Sequence, residues 1–226
     1  MGAGLVVDCR MAYNTPGATA PSYLHLHIPH LDFSSECSDA GVPDEEACRR
    51  LWKEYDMMPH IGAHSEQVAG IAHALAQRAA ELGKGDVRAL TVASGLLHDI
   101  AKSYTVQYGG SHAQLGASWV MTRTGNPVIA QAVLHHVWWP WDFPEDLASP
   151  VFFVLYADKR VMHDTVVPLE ERYEDLLVRY GHTDASRAAI VAGNEHAQRL
   201  ERALSAFLEM PLHAYTFTGG RLVERA

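Results

Sequence analysis

Seven side chains in this 226-residue sequence join metal-ligating chemistry to positions that point inward: His64, His98, Asp99, His112, His135, His136 and Asp158. Imidazole with carboxylate suits iron or manganese, and also zinc or nickel. The densest point is Gly95-Leu96-Leu97-His98-Asp99-Ile100-Ala101-Lys102, where a histidine, a carboxylate and a lysine end an otherwise apolar run. Burying such groups without partners is costly, so the sequence must supply compensation, and a metal ion would serve His98 and Asp99 together.

Each candidate falls where a helix would turn it inward. A first helix opens at Pro43-Asp44-Glu45-Glu46, buries Ala47, Leu51, Trp52 and Tyr55, and ends before Pro59. In a second, from about Ile61 to Leu82, Val68, Ile71, Ala72 and Leu75 form one stripe, and His64 extends it. A third runs from Val87, after an Asp86 cap, to about Lys102 and carries His98-Asp99 near its end. Neighbouring helical residues point about 100° apart, so this pair can offer two ligands to an ion beside the helix.

Tyr104 to Gly110 reads as a loop, and Ser111 as the cap of a fourth helix with His112 near its start. Asn126-Pro127 opens a fifth helix, whose two inward rows end in His135 and His136. The loop Trp138-Trp139-Pro140-Trp141-Asp142-Phe143-Pro144 follows, as a lid packed on the core or a pocket wall. In a sixth helix, Val151 to about His163, Asp158 shares a stripe with Val151, Val154 and Leu155. Lys159 and Arg160 face away from Asp158 on a helix, which leaves a metal as its expected partner. Leu169 to Tyr180 reads as a polar helix with a mostly solvated face, and a last helix, capped by Asp184, runs from Ala185 to about Leu208.

Taken together, His64, then His98-Asp99, then a distant Asp158 resemble the pattern of the HD-domain superfamily of metal-dependent phosphohydrolases. The local runs HSEQVAGIA, GLLHDIAK and LYADK agree beyond the ligands, and the resemblance spans residues of about 43 to 180. The His112-Ala113-Gln114-Leu115-Gly116-Ala117 segment and the His135-His136 pair are similar to the additional ligands of dinuclear members.

The resemblance implies an all-α, single-domain HD-type helical bundle holding two divalent metal ions, iron or manganese ahead of zinc or nickel. His64, His98, Asp99 and Asp158 would hold one ion and His112, His135 and His136 the other, with Asp99 bridging. The implied activity is hydrolysis of a phosphomonoester or phosphodiester of a small, nucleotide-like substrate by a metal-bound hydroxide, with Asp99 and Lys102 as the catalytic side chains. Lys159, Arg160 and Arg123 are candidates for secondary phosphate contacts. Ala101 replaces the glycine of the common HDIG signature, and Val137-Trp138-Trp139-Pro140 stands where the cyclic-di-nucleotide phosphodiesterase branch carries Gly-Tyr-Pro, which argues against that substrate. Two other readings share the ligands: a dinuclear-iron oxygenase of the same superfamily, and a non-catalytic regulatory HD domain.

Composition narrows the partners. With 18 Lys+Arg against 27 Asp+Glu, a formal charge of −9 opposes non-specific attraction to nucleic-acid polymers or anionic membranes, so a small phosphorylated substrate, without nucleic-acid polymer or membrane, is expected. No apolar run approaches the roughly 20 residues of a membrane span. Cys9, Cys37 and Cys48 lack the spacing of a zinc site or disulfide framework, and no targeting segment is read, which fits a cytoplasmic protein. Residues 43–211, with 48% of the whole sequence hydrophobic, are expected to form the single domain. Residues 1–42 read as a less regular arm or short strand pair, partly disordered, whose His25, His27 and His30 lack a completing ligand; residues 212–226 read as a tail with a short hairpin about Thr218-Gly219-Gly220. No pattern sets the oligomeric state.

Overall fold

Five helices among the described residues begin where the sequence supplies a capping side chain. The computed structural model describes residues 41–219 and 221–224. Within them α1 (Glu45–Glu54) starts after Asp44, whose carboxylate accepts from the Ala47 amide at 2.7 Å. Helix α5 (His112–Thr124) starts after Ser111, and α6 (Pro127–His135) after Asn126, whose side chain accepts from the amides of Val128 and Ile129. Helix α7 (Pro150–Lys159) starts after Ser149, and α9 (Asp184–Phe207) after a reciprocal Thr183–Ser186 capping box, so Thr183 rather than Asp184 is the cap. Such caps are each worth about 1 kcal/mol. The expected arm with His25, His27 and His30 lies outside the described residues.

The remaining helices are α2 (Pro59–Glu81), α3 (Arg88–Leu97), α4 (Lys102–Tyr108) and α8 (Leu169–Tyr180). Two boundaries depart from the periodicity reading. Helix α3 stops at Leu97, because the Ile100 amide bonds to the Leu97 carbonyl and that of Lys102 to the Asp99 carbonyl, three residues back instead of four. His98 and Asp99 therefore sit in a tight turn, and Tyr104–Tyr108, read as loop, is helical. Helix α7 stops at Lys159, and a small antiparallel pair, β1 (Val161–Met162) and β2 (Thr165–Val166), turns at His163, whose φ is +58°.

The bundle is built around α7. Every residue from Pro150 to Ala157 is buried, as expected of a helix apolar on all sides. It packs against α2, α6 and α9, while α2 also packs on α3, and α5 on α6. One apolar cluster gathers around α2, α7 and α9, and a second around α1, α3, α5 and α6. The aromatic loop closes over the first cluster: Trp139 meets Phe152 edge-on at 5.1 Å, and Trp138 stacks on His196 of α9 at 4.1 Å. No helix among the described residues is long and apolar enough to cross a membrane.

The last strands, β3 (Tyr215–Thr218) and β4 (Arg221–Glu224), form the expected hairpin, with Thr218 opposite Arg221 and Gly219 at φ +55° in the turn. Buried Arg160 ties this hairpin to α7. It donates to the Val167 carbonyl at 2.8 Å, the Tyr215 carbonyl at 3.0 Å and the Tyr156 hydroxyl. Its donors are thus committed to the fold and not to a phosphate. Arg123, another candidate for a phosphate contact, pairs with Glu54 at 2.6 Å.

Candidate metal centre

Six of the seven candidate ligands converge where α2, α3, α5, α6 and α7 meet. His64 comes from α2, His98 follows the end of α3, Asp99 lies in the turn after it, His112 opens α5, His136 caps α6, and Asp158 ends α7. His64 Nε2 lies 3.0 Å from Asp158 Oδ1 and 4.0 Å from Asp99 Oδ2; His98 Nε2 lies 3.4 Å from Asp99 Oδ2 and 3.8 Å from Asp158 Oδ1. On the other side of the same carboxylate, Asp99 Oδ1 is 3.4 Å from His112 Nε2 and 3.6 Å from His136 Nε2. Asp99 is fully buried and divides its oxygens between two groups of imidazoles.

Backbone carbonyls fix which nitrogen each imidazole presents. Nδ1 of His64 pairs with the His163 carbonyl at 2.8 Å, that of His98 with Gly95 at 2.7 Å, and that of His136 with Val133 at 2.7 Å. A carbonyl can only accept, so each Nδ1 carries a proton, and each ring in its neutral form would turn an Nε2 lone pair to the centre. Second-layer partners of this kind set the tautomer of metal-binding histidines.

The donor set fits divalent ions. Buried His98 Nε2 and Asp99 Oδ1 have no hydrogen-bond partner among the described residues. His112 Nε2 and His136 Nε2 are 3.1 Å apart, a distance that serves an N–H···N hydrogen bond from His112 or two ligands of one ion. Atoms bound about 2.0–2.2 Å from a common ion sit about 3–3.5 Å from one another, and the distances within the two groups run from 3.0 to 4.0 Å. Two groups could thus each hold an ion: His64, His98 and Asp99, with Asp158 beside them, and Asp99, His112 and His136.

Local charge follows this layout. Burial works against ionising Asp99, but His98, His136 and Lys102 outweigh it and hold its carboxyl well below the usual range. Asp158 is held low against its burial by Lys159, His64 and His98. Burial also opposes protonation of His98, yet Asp99 and Asp158 raise its pKa. His112 is pushed down to about 4 by burial and by His136, and His136 is lowered chiefly by burial.

His135 is not brought to the centre. Adjacent helical residues diverge by about 100°, and with His136 facing Asp99, the His135 ring meets Trp139 at 5.1 Å and Trp141 at 5.7 Å. Lys102 is brought to it: its Nζ donates to Asp99 Oδ2 at 2.7 Å, and its side chain is 40% exposed. As the first residue of α4, Lys102 stands where a helix dipole disfavours a cation, so the Asp99 pair, not the dipole, holds it there. Lys159 departs from expectation by pairing with Asp158 Oδ2 at 2.6 Å and with the His136 carbonyl at 3.2 Å. Its long stem swings back at the last turn of α7, and it leaves Asp158 Oδ1 facing His64. The carbonyls of Gly95, Val133 and His163 carry no side-chain signature and were not legible in the sequence.

A family profile described as HD domain matches residues 61–180, more than half of the chain. The chain belongs to the HD domain family. Similar curated proteins are ribonuclease Y of Wolinella succinogenes, 44% identical over 73 residues, covering 32% of this chain and 13% of that protein; ribonuclease Y of Sulfurovum sp., 39% over 74 residues, covering 33% and 14%; and ribonuclease Y of Campylobacter concisus, 42% over 74 residues, covering 33% and 13%. The HD chain therefore spans about one seventh or less of the length of these relatives. No solved structure matches it. The names correct one expectation: net charge does not exclude a nucleic-acid polymer, since relatives of this HD segment are named as ribonucleases. A formal charge of −9 sums the whole chain, whereas substrate meets the local field of one cleft.

Proposed function

We propose that this HD domain is a metal-dependent phosphohydrolase that cleaves phosphodiester bonds, with ribonucleotide strands as its substrate class. The observation that carries the reading is the Asp99 carboxylate, with Oδ2 turned to His98 and Oδ1 to His112, both at 3.4 Å. Similarity to proteins named ribonuclease Y supports the strand as substrate. Two divalent ions, held by His64, His98, Asp99 and Asp158 and by Asp99, His112 and His136, would supply Lewis acidity and acidify water from a pKa of 15.7 to roughly 7.

The protein's own residues contribute position and charge. Carbonyl-held imidazoles keep their lone pairs aimed without reorganisation, which is the condition for strong electrostatic stabilisation. Lys102 reaches from Asp99 into a cleft of about 510 Å³ and there offsets negative charge on the phosphoryl oxygens. The test is to strip the protein of metal, restore manganese, iron, zinc or nickel separately, and assay bis(p-nitrophenyl) phosphate and an end-labelled oligoribonucleotide. Metal-dependent cleavage of both, lost in Asp99→Ala, is expected. Metal-replete protein that cleaves neither substrate would overturn the proposal.

A further inference from the structure

The cleft over the His/Asp cluster has a second wall that carries none of the candidate ligands. It is the inner face of α8, where Arg172 and Arg179 line the same cavity as His64, Asp99 and Lys102. Seven residues are about two helical turns, so both arginines leave one face of the helix, about 10 Å apart along its axis. Asp175 lies between them and draws them together: Arg172 Nη1 is 3.8 Å and Arg179 Nη1 is 3.5 Å from Asp175 Oδ2. One carboxylate facing two guanidinium groups leaves the α8 wall one charge positive, with Arg179 Nη1 also 3.4 Å from His163 Nε2 and Asp164 a further acid on the cleft lining. The acids of α8 that would cancel it, Glu170, Glu171 and Glu174, are exposed and do not line the cleft.

A second observation points to a ligand. Arg172 Nε is buried and has no hydrogen-bond partner among the described residues. A guanidinium offers a planar fork of donors that matches phosphate oxygens, and leaving one donor buried and unpaired is costly. Leu176, Tyr180, Ile61 and Val106 line the cavity around the arginines, and apolar or aromatic faces of this kind suit stacked bases.

Resting on the phosphodiesterase reading above, we infer that Arg172 and Arg179 form a subsite for the strand phosphate next to the scissile one, while Lys102 faces the scissile phosphate. The subsite converts an acidic protein into one that grips a polyanion locally, and it selects strands over single phosphates.

The test is binding, read before turnover by stopped-flow anisotropy on metal-loaded protein, with a fluorescent hexaribonucleotide and a labelled mononucleotide as probes. Arg172→Ala combined with Arg179→Ala should weaken the hexamer about tenfold or more. It should also make the salt dependence shallower by about 0.7 in the log–log slope, the share of one single-strand phosphate. The mononucleotide should be unaffected. Replacing both by Lys should keep the slope but lose part of the affinity, because charge stays and the fork goes. Unchanged hexamer affinity and slope in the folded double variant would overturn the subsite. So would an equal loss for the mononucleotide, or a loss of bound metal by elemental analysis. Wild-type protein that shows the arginine-dependent slope yet cleaves nothing would refute the hydrolase reading and leave the subsite standing.

Discussion

The Asp99 carboxylate places Oδ1 3.4 Å from His112 Nε2 while its other oxygen, Oδ2, stays 3.4 Å from His98 Nε2. A carboxylate shared in this way makes the two halves of the centre unequal under mutation. Asp99→Ala removes a ligand from both groups, so the variant is expected to lose both ions and all hydrolysis. His112→Ala removes a ligand from one group alone, so about one ion per chain should remain. Elemental analysis of both variants checks this; equal metal loss in the two would contradict the division.

Protons compete for the same nitrogens, and His112 gives the clearest sign. Its pKa is pushed down to about 4 by burial and by His136, against about 6.5 in an unfolded chain. As pH falls from about 6.5 to 4, the unfolded chain takes up a proton that folded His112 refuses, so this residue's contribution to stability is lost across that window. His136 acts in the same direction, and His98, whose pKa is raised, acts in the opposite one. The test is therefore a difference. Urea unfolding of metal-free protein from pH 7 to 4.5 should fall more steeply for wild type than for His112→Gln.

Much of this centre was legible because burial and polarity conflict openly at His64, His98, Asp99 and Asp158, each of which ends or continues an apolar stripe. His135 misled for a geometric reason: both it and His136 continue inward rows, but only one of two adjacent residues can face a given point. The α3–α4 break escaped because a shift from four-residue to three-residue hydrogen bonding leaves no mark on hydrophobic periodicity. Arg172 and Arg179 were hidden among the charges of α8, where a face turned to a cleft and one turned to solvent look alike in sequence. Lys159 shows a further limit, since a flexible four-carbon stem can reach a neighbour that helical spacing places on another face.

Lys102 should separate charge stabilisation from metal holding. Its Nζ contacts Asp99 Oδ2 at 2.7 Å but is not among the atoms that could ligate. Lys102→Ala is expected to retain its metals while turnover of the phosphodiester falls by about a hundredfold, the size of effect seen when one preorganised charge or donor is removed. Steady-state kinetics with elemental analysis on the same preparation checks both halves. Unchanged turnover would remove Lys102 from the reaction.

Gly95 joins the fold to the centre by what it lacks. A Cβ at this position would come within 2.6 Å of the Ala69 Cα and 3.0 Å of the Ala69 amide nitrogen, so α3 can lie this close to α2 only with no side chain there. Backbone cannot yield as a flexible side chain can, and Gly95→Ala must push the helices apart. Overpacking of this kind costs about 1–3 kcal/mol. The cost does not stop at stability, because the Gly95 carbonyl accepts from His98 Nδ1 at 2.7 Å and α2 carries His64. Moving α3 therefore turns the His98 ring and widens the gap between two ligands of the same ion. Gly95→Ala is expected to lower the urea midpoint and also to weaken metal binding, measured by competition with a chromogenic chelator. Leu96→Ala on the same helix provides the comparison: it removes buried apolar volume without forcing α3 from α2, so it should lower stability while binding metal as wild type does.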